Sequence, residues 1–225
     1  MMLTIRKAVS SDLSAIAQIT EDTFQEHIQP GVTRLQNNLL LVAELQGVVV
    51  GFAANFQTRS AYGEGRFELD LLAVDPSARG RGVGYSLLSG CIQRASVSSA
   101  DVLRALVRAD NLAMSQLCAR GGLQRSAQPY VLYIARPPRP PRRVRGRQSV
   151  RAGHLVSVDT LTYRGIWLEG DLSQAAIAQA QQIARAENRS RIGALVPTAD
   201  APVAALLSEN GFAAVGTFYW WSSSL

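Results

Sequence analysis

The stretch FELDLLAVDPSARGRGVGYSLL, residues 67–88, decides the fold. Phe67 to Val74 is an apolar run with Glu68 and Asp70 set into it, Pro76 stops it, and Gly84 to Leu88 begins a helical pattern. The segment Arg79-Gly80-Arg81-Gly82-Val83-Gly84 is therefore a strand-to-helix turn. A turn of this kind is an anion site. Its glycines admit positive φ and close backbone approach, and the unpaired N–H groups and positive dipole end of the new helix face whatever sits there. Two arginines add fixed charge suited to phosphate oxygens.

Two common phosphate loops do not fit. Walker A needs Lys and then Ser or Thr after its last glycine, whereas Gly84 is followed by Tyr85 and Ser86. The dinucleotide fingerprint wants G-x-G-x-x-G with an acidic ribose ligand about twenty residues on, but Gly80, Gly82 and Gly84 are spaced by two and residue 104 is Arg. The pattern Arg-x-x-Gly-x-Gly, five residues after Val74, resembles the pyrophosphate loop of the GNAT superfamily of acyl-CoA-dependent N-acyltransferases.

The order of elements around the loop agrees with that resemblance. Leu3 to Val9 alternates like a strand, and Ser10-Ser11-Asp12 caps a helix carrying Leu13, Ile16, Ile19 and Phe24. A second short helix is expected through Leu35 and Asn38, then two strands, 39–45 and 48–56, joined at Gln46-Gly47. His27 lies where the family usually contacts the acceptor, although a surface histidine is ordinarily just solvated. After the loop come a helix over 85–95, a strand over 102–107, a helix headed by Asn111 and ended at Gly121-Gly122, and a strand over 130–135. Residues 1–135 are thus similar to a complete GNAT domain, with an α/β fold on a mixed sheet. Asn111 to Leu123 resembles the family's second motif.

The chain of 225 residues has a net charge of +6, but Arg136, Arg139, Arg142, Arg143, Arg145, Arg147 and Arg151 cluster in one acid-free segment. Outside it 16 basic residues face 17 acidic ones, which argues against a broad nucleic-acid-binding face while leaving a short basic arm available for RNA, DNA or anionic lipid. Residues 136–152 read as a semi-rigid Arg/Pro-rich linker, with a docking peptide as the alternative. No run is long enough to span a bilayer and no leader pattern opens the chain, so a soluble, cytoplasmic protein, monomer or homodimer, is expected. Cys91 and Cys118 lack metal spacing and are expected as free thiols, with no metal site.

Residues 153–225 become readable when slid against the first part by 89 residues. Ala105-Leu106-Val107 then falls on Ala194-Leu195-Val196, Leu117 on Leu206, Gly122-Leu123 on Gly211-Phe212, Asp70 on Asp159, Leu72 on Leu161 and Tyr130 on Tyr219. This predicts an internal duplication whose second copy is a half-domain lacking the first three strands and first helices. Its chemistry is lost: Glu68 becomes Ser157, Arg79 Leu168, Gly82 Asp171 and Gly84 Ser173. Asp171 to Gln174 reads instead as a capping box whose carboxylate would repel pyrophosphate. An exposed strand edge on the half-domain would have to be covered by the first part, with Trp220, Trp221 and Trp167 at the join or in the acceptor cleft.

The resemblance implies an N-acetyltransferase that takes acetyl-CoA as co-substrate and an amine-bearing small molecule or peptide as acceptor. It implies that backbone groups of Leu72, Ala73 and Val74 pair with the pantetheine arm, that Arg79, Gly80, Arg81, Gly82, Val83 and Gly84 hold the pyrophosphate, and that Asn111 lines the groove. Glu68, six residues before Val74, stands where several member families carry a general base. Asp70 is the second candidate, and alternation puts Glu68, Asp70, Leu72 and Val74 on one face. The family's usual tyrosine acid is here Cys118, a weak donor, which leaves Tyr130, Tyr133 or water to protonate the thiolate. It also leaves open the alternative of a catalytically weak acyl-CoA-binding regulatory module.

Overall fold

The computed structural model describes residues 2–24, 39–137, 154–170 and 172–225. His27, the short helix expected through Leu35 and Asn38, Asp171, and nearly all of the Arg/Pro-rich linker lie outside the described residues.

Strand β1 (Leu3–Lys7) leads into helix α1 (Leu13–Phe24), followed by strands β2 (Leu39–Leu45), β3 (Val48–Arg59) and β4 (Gly65–Val74). Gln46 and Gly47 both take positive φ, as the two-residue hairpin between β2 and β3 demands. Helix α2 (Val83–Ser96), β5 (Val102–Arg108), α3 (Leu112–Arg120), the short β6 (Gln124–Arg125) and β7 (Tyr130–Ala135) complete the first part. The second part is β8 (His154–Asp159), β9 (Arg164–Glu169), α4 (Gln174–Ala186), β10 (Arg191–Pro197), α5 (Ala201–Glu209) and β11 (Ala213–Ser224).

All strands belong to one sheet in the order β1-β2-β3-β4-β5-β11-β7-β10-β9-β8, with β6 also on β11. The two parts exchange their last strands. β11 pairs antiparallel with β5 of the first part, and β7 pairs antiparallel with β10 of the second, while β7 and β11 pair with each other at the centre. Neither part closes a sheet from its own residues, so the exposed edge expected of the half-domain is removed by shared hydrogen bonding as well as by packing.

The alternation of apolar residues sets the layers. Leu103, Ala105 and Val107 of β5 and Trp221 of β11 pack with Leu87, Leu88 and Cys91 of α2, while Ile192, Ala194 and Val196 of β10 pack with Ile177, Ala180 and Ala184 of α4. The opposite face carries a separate cluster in which Ile16 and Ile19 of α1 meet Phe52, Leu71 and Ala73. Leu161, in the β8–β9 turn, is fully buried in that cluster, so the second part plugs the core of the first. The sheet curls until β8 returns to β3: Val156 and Val158 face Phe56 and Thr58, and the His154 Nε2 lies 2.9 Å from the Arg59 carbonyl oxygen.

The uniform offset of 89 residues holds for β5 and β10, for α3 and α5, for their caps Asn111 and Asp200, and for the positive-φ glycines Gly122 and Gly211. It fails earlier in the chain. In the parallel pairs Arg66 lies opposite Val102 and Gly165 opposite Arg191, so the equivalent positions of β4 and β9 are 99 residues apart. Two shortenings account for most of this: β9 ends at Glu169 soon after Gly165 whereas β4 runs on from Arg66 to Val74, and the strand-to-helix connection spans Glu169 to Gln174 against Val74 to Val83. Ser157 and Asp159 therefore lie on β8, the counterpart of β3, and the second part lacks two strands rather than three.

A second correction concerns β4. Ala54 pairs with Leu71 and Asn55 with Leu69, which leaves Asp70 as the extra residue of a β-bulge. Phe67 and Leu69 face α2 before the bulge, and Leu72 and Val74 face it afterwards. Glu68 and Asp70 thus do not share a face with Leu72 and Val74. They open onto the other side of the sheet, because the inserted residue reverses the alternation.

Replacing Leu161 with Ala empties the join without touching either sheet edge. The variant should lose roughly 2–5 kcal/mol of stability, the usual range for a fully buried leucine, in a denaturant titration. A loss confined to a few tenths would mean that the turn does not anchor the two parts.

Candidate active site

Two candidate binding regions flank the Asp70 bulge. The first is a slot between β4 and β5, whose parallel pairing runs only from Arg66 with Val102 to Leu69 with Ala105. Beyond Leu69 the pairing ends, and among the described residues the edge of β4 from Leu71 to Val74 has a strand partner only in β3. Backbone donors and acceptors of Leu72, Ala73 and Val74 on the slot side are left for a ligand.

The glycine loop stands at the outer end of this slot. Gly80 and Gly82 take φ of +74° and +81°, and a Cβ at either would meet nothing within 4 Å. Arg79, Gly80, Arg81 and Gly82 are exposed, Val83 is buried as the first helical residue, and the Arg79 Nε donates to the Val74 carbonyl at 3.1 Å. Gly84 packs against the core: a Cβ there would lie 3.5 Å from Leu117 and 3.8 Å from both Leu72 and Val74, in ordinary contact with each. No side chain caps α2, whereas Asn111, Ser173 and Asp200 cap α3, α4 and α5. The first-turn N–H groups of α2 are thus the uncapped set among these four helices. Asn111 spends its Oδ1 on the Met114 N–H at 3.0 Å, so its structural task is the cap and only its exposed amide edge remains for a ligand.

The second region is a cavity of about 240 Å³ on the opposite face, between the two parts. Glu68, Asp70, Leu106 and Trp220 line it from one side, and Tyr163, Trp167, Arg191 and Gly193 from the other. Glu68 is 6% exposed and fully engaged. Its carboxylate accepts from Arg104 Nε at 2.8 Å and Nη2 at 2.8 Å, and from the Thr58 hydroxyl. Arg104 also reaches Glu169 at 3.2 Å and lies 4.0 Å over the Trp220 ring, and Glu169 in turn holds Arg66 at 2.7 Å. This ion-pair network crosses from β4 and β5 to β9.

Asp70 is different. One of its carboxyl oxygens, Oδ2, is buried and has no hydrogen-bond partner among the described residues. Burial pushes its pKa up to about 7, with the Glu68 charge acting in the same direction and a hydrogen bond from Thr160 acting against it. Burial, and then the Asp70 charge, also holds the Tyr163 phenol above its ordinary range. The Tyr163 oxygen accepts from Trp167 Nε1 at 3.1 Å.

The sequence pattern put both carboxylates at the site but ranked Glu68 first, and the structure gives Glu68 an arginine instead of a free lone pair. Cys118 is fully buried against α2 and its thiol is pushed up to about 12, so it is a core residue. Tyr133 packs beneath α4, away from the slot. Thr160, Tyr163 and Arg191 were not foreseen, because only the curled sheet brings them to β4. Arg104 had a legible signal: it interrupts Leu103, Ala105 and Val107 and so faces the other side, where a buried guanidinium needs a carboxylate.

An uncapped, glycine-built helix start beside a splayed parallel strand pair defines an acyl-CoA N-acyltransferase architecture. The model of the acetyltransferase (GNAT) family matches residues 6–122, and the chain belongs to that family. A search of curated protein sequences found no match. Among solved structures, the glucosamine N-acetyltransferase region of a fungal multi-domain β-N-acetylglucosaminidase aligns over 99% of this chain with a TM-score of 0.62 and 12% identity. This chain spans 38% of that fungal chain. A candidate acetyltransferase from Pyrococcus horikoshii aligns over 99% of this chain and 89% of its own, with a TM-score of 0.62 and 15% identity. These two likenesses are of fold, and they extend it over a second, partial GNAT-like half. The Salmonella typhimurium protein yncA, solved with acetyl-CoA, aligns over 58% of this chain and 84% of its own at 27% identity and a TM-score of 0.48.

The raised Asp70 carboxyl has a stability consequence. Its folded pKa of about 7 lies above the ordinary value of 3.8, so the folded state favours the protonated form. The fold therefore loses stability from this group as pH rises from about 4 to about 7, and below about 4 the group contributes no difference. Asp70→Asn should raise the unfolding midpoint at pH 8 and leave it unchanged at pH 4. A midpoint difference independent of pH would show that Asp70 does not titrate as an isolated buried acid.

Proposed function

We propose that the protein is an acetyl-CoA-dependent N-acetyltransferase acting on a primary amine of a small molecule or peptide, with Asp70 as general base. The observation that carries this reading is the position of one bulged carboxyl, Asp70, which lines the cavity just where the pairing of β4 with β5 ends. The uncapped first turn of α2 and the open space over Gly80 and Gly82 suit a pyrophosphate, and the free edge of Leu72 to Val74 suits an amide-bearing arm. When bound there, acetyl-CoA supplies the activated acyl group. The acceptor enters from the cavity on the other face.

The chain's own work is positioning and proton transfer. An amine arrives as ammonium and must lose a proton to become a nucleophile, and a base with pKa near the working pH performs this best. The Asp70 carboxyl, which lines the cavity, takes that proton. Glu68 is a positioning residue: its ion pair holds Arg104 flat on Trp220, which forms the cavity wall. Trp167 and Trp220 exclude water from the cavity beside Asp70. Cys118 does not serve the departing thiolate, and this observation favours the second reading, an acyl-CoA-binding module that turns over slowly.

Two measurements separate these readings. Asp70→Asn should lower turnover on the order of a hundredfold with acetyl-CoA affinity retained, and the wild-type rate should climb with pH through about 7. Glu68→Gln should lower it less. Equal loss in both variants, or a flat pH profile, would return the base to Glu68 or to water. No acetyl transfer to any amine from a protein that still binds acetyl-CoA would leave the binding module.

The co-substrate assignment has its own test. Gly82→Asp places a carboxylate at the α2 N-terminus and should abolish acetyl-CoA binding in calorimetry, and the wild-type chain should bind one molecule, since Ser173 already occupies the α4 N–H of Ala176. Two molecules per chain, or undiminished affinity in the variant, would overturn the assignment.

A further inference from the structure

We infer that the second part supplies an anion-reading subsite, centred on Arg191, and that the acceptor is an amine carrying its own carboxylate on an apolar body. This rests on the proposed acyltransferase reading and deepens it.

Arg191 opens β10 on the cavity side of the sheet, since Ile192 and Ala194 face α4. Among the described residues it makes no ion pair and no side-chain hydrogen bond. Its one side-chain contact of note is with the Tyr163 ring, whose centroid lies 5.3 Å from the guanidinium carbon. The other arginines around the site are all paired: Arg104 with Glu68, Arg66 with Glu169, and Arg189 with Asp159. A partly buried guanidinium whose contact is a tyrosine ring keeps its donors available for a ligand anion.

The surroundings are cut to fit. Gly165 lies opposite Arg191 in the sheet, and a Cβ there would sit 3.0 Å from the Tyr163 ring, so a side chain at this position would push that ring aside. Gly193, next along β10, leaves the cavity floor bare beside Trp167. The cavity therefore presents a proton acceptor from the first part, a cation from the second, and a lining of Leu106, Leu132, Ile134 and Trp220. An ammonium belongs at Asp70, a carboxylate at Arg191, and an apolar side chain on the wall. Amines without an anion leave Arg191 unpaired, and this rejects them.

The test compares phenylalanine and leucine with phenethylamine and 3-methylbutylamine, their analogues without the carboxylate. Binding to the full chain saturated with coenzyme A is measured by calorimetry, so the readout does not need turnover. The amino acids should bind at least tenfold more tightly than their decarboxylated analogues. Arg191→Gln should bring the two affinities together, and Arg191→Lys should keep part of the preference, with the unfolding midpoints and coenzyme A affinity of both variants as fold controls. Equal or tighter binding of the decarboxylated amines, an unchanged preference in Arg191→Gln, or no binding of either class would overturn the subsite. Preferential binding of the amino acids without any acetylation of them would support the subsite and overturn the acyltransferase reading instead.

Discussion

The exchange of β11 for β7 is the constraint on which the rest of the molecule depends. A sheet edge is a row of unmet hydrogen bonds, and each part resolves its own by taking the other's last strand. Once those strands cross, the two parts cannot rotate or separate as hinged domains do. The curl of the sheet, the burial of Leu161 and the contact of β9 with β4 follow from that one topological fact. The ion pairs from Arg66 and Arg104 to Glu169 are worth little singly, but they sit within the curl and fix its register.

Within this frame the bulge at Asp70 performs the local division of labour. One inserted residue lets β4 present backbone to the slot on one side and carboxyl to the cavity on the other. Without it, Asp70 would fall on the alternation of its neighbours, and Leu72 and Val74 would leave the α2 core. The same bulge separates the fates of two carboxylates a residue apart. Glu68 precedes it and meets the arginine of the adjoining parallel strand. Asp70 lies in it, where the strands part and, among the described residues, no cation reaches its inner oxygen.

The sequence carried the parts of this that depend on short range. Glycine spacing, the Asn111 cap and the apolar alternation of β5 and β10 are local signals, and each lies where it was read. The repeat was legible wherever its two copies keep the same length, and it slipped where the strand and its connection to the helix shortened, which carried Asp159 onto the wrong strand. The bulge was not legible, because no residue type demands one and the reversal of faces is visible only in the pairing of Ala54 with Leu71. Tyr163 and Arg191 had no local mark either, since their position relative to Asp70 exists only after the strands have crossed.

The second part builds a cavity wall where the first part carries its glycine loop. A phosphate loop needs exposed N–H groups and a long connection to carry its glycines, and here the connection has contracted and Ser173 accepts the helix N–H instead. The shortened link brings β9 directly into α4, and Gly165 and Trp167 on its free face look toward β4 rather than toward a cofactor slot of their own. On the proposed reading, the second part can vary the residues that an acceptor would meet without disturbing the loop in the first, so that specificity and acyl activation reside on separate parts joined by strands that neither can withdraw.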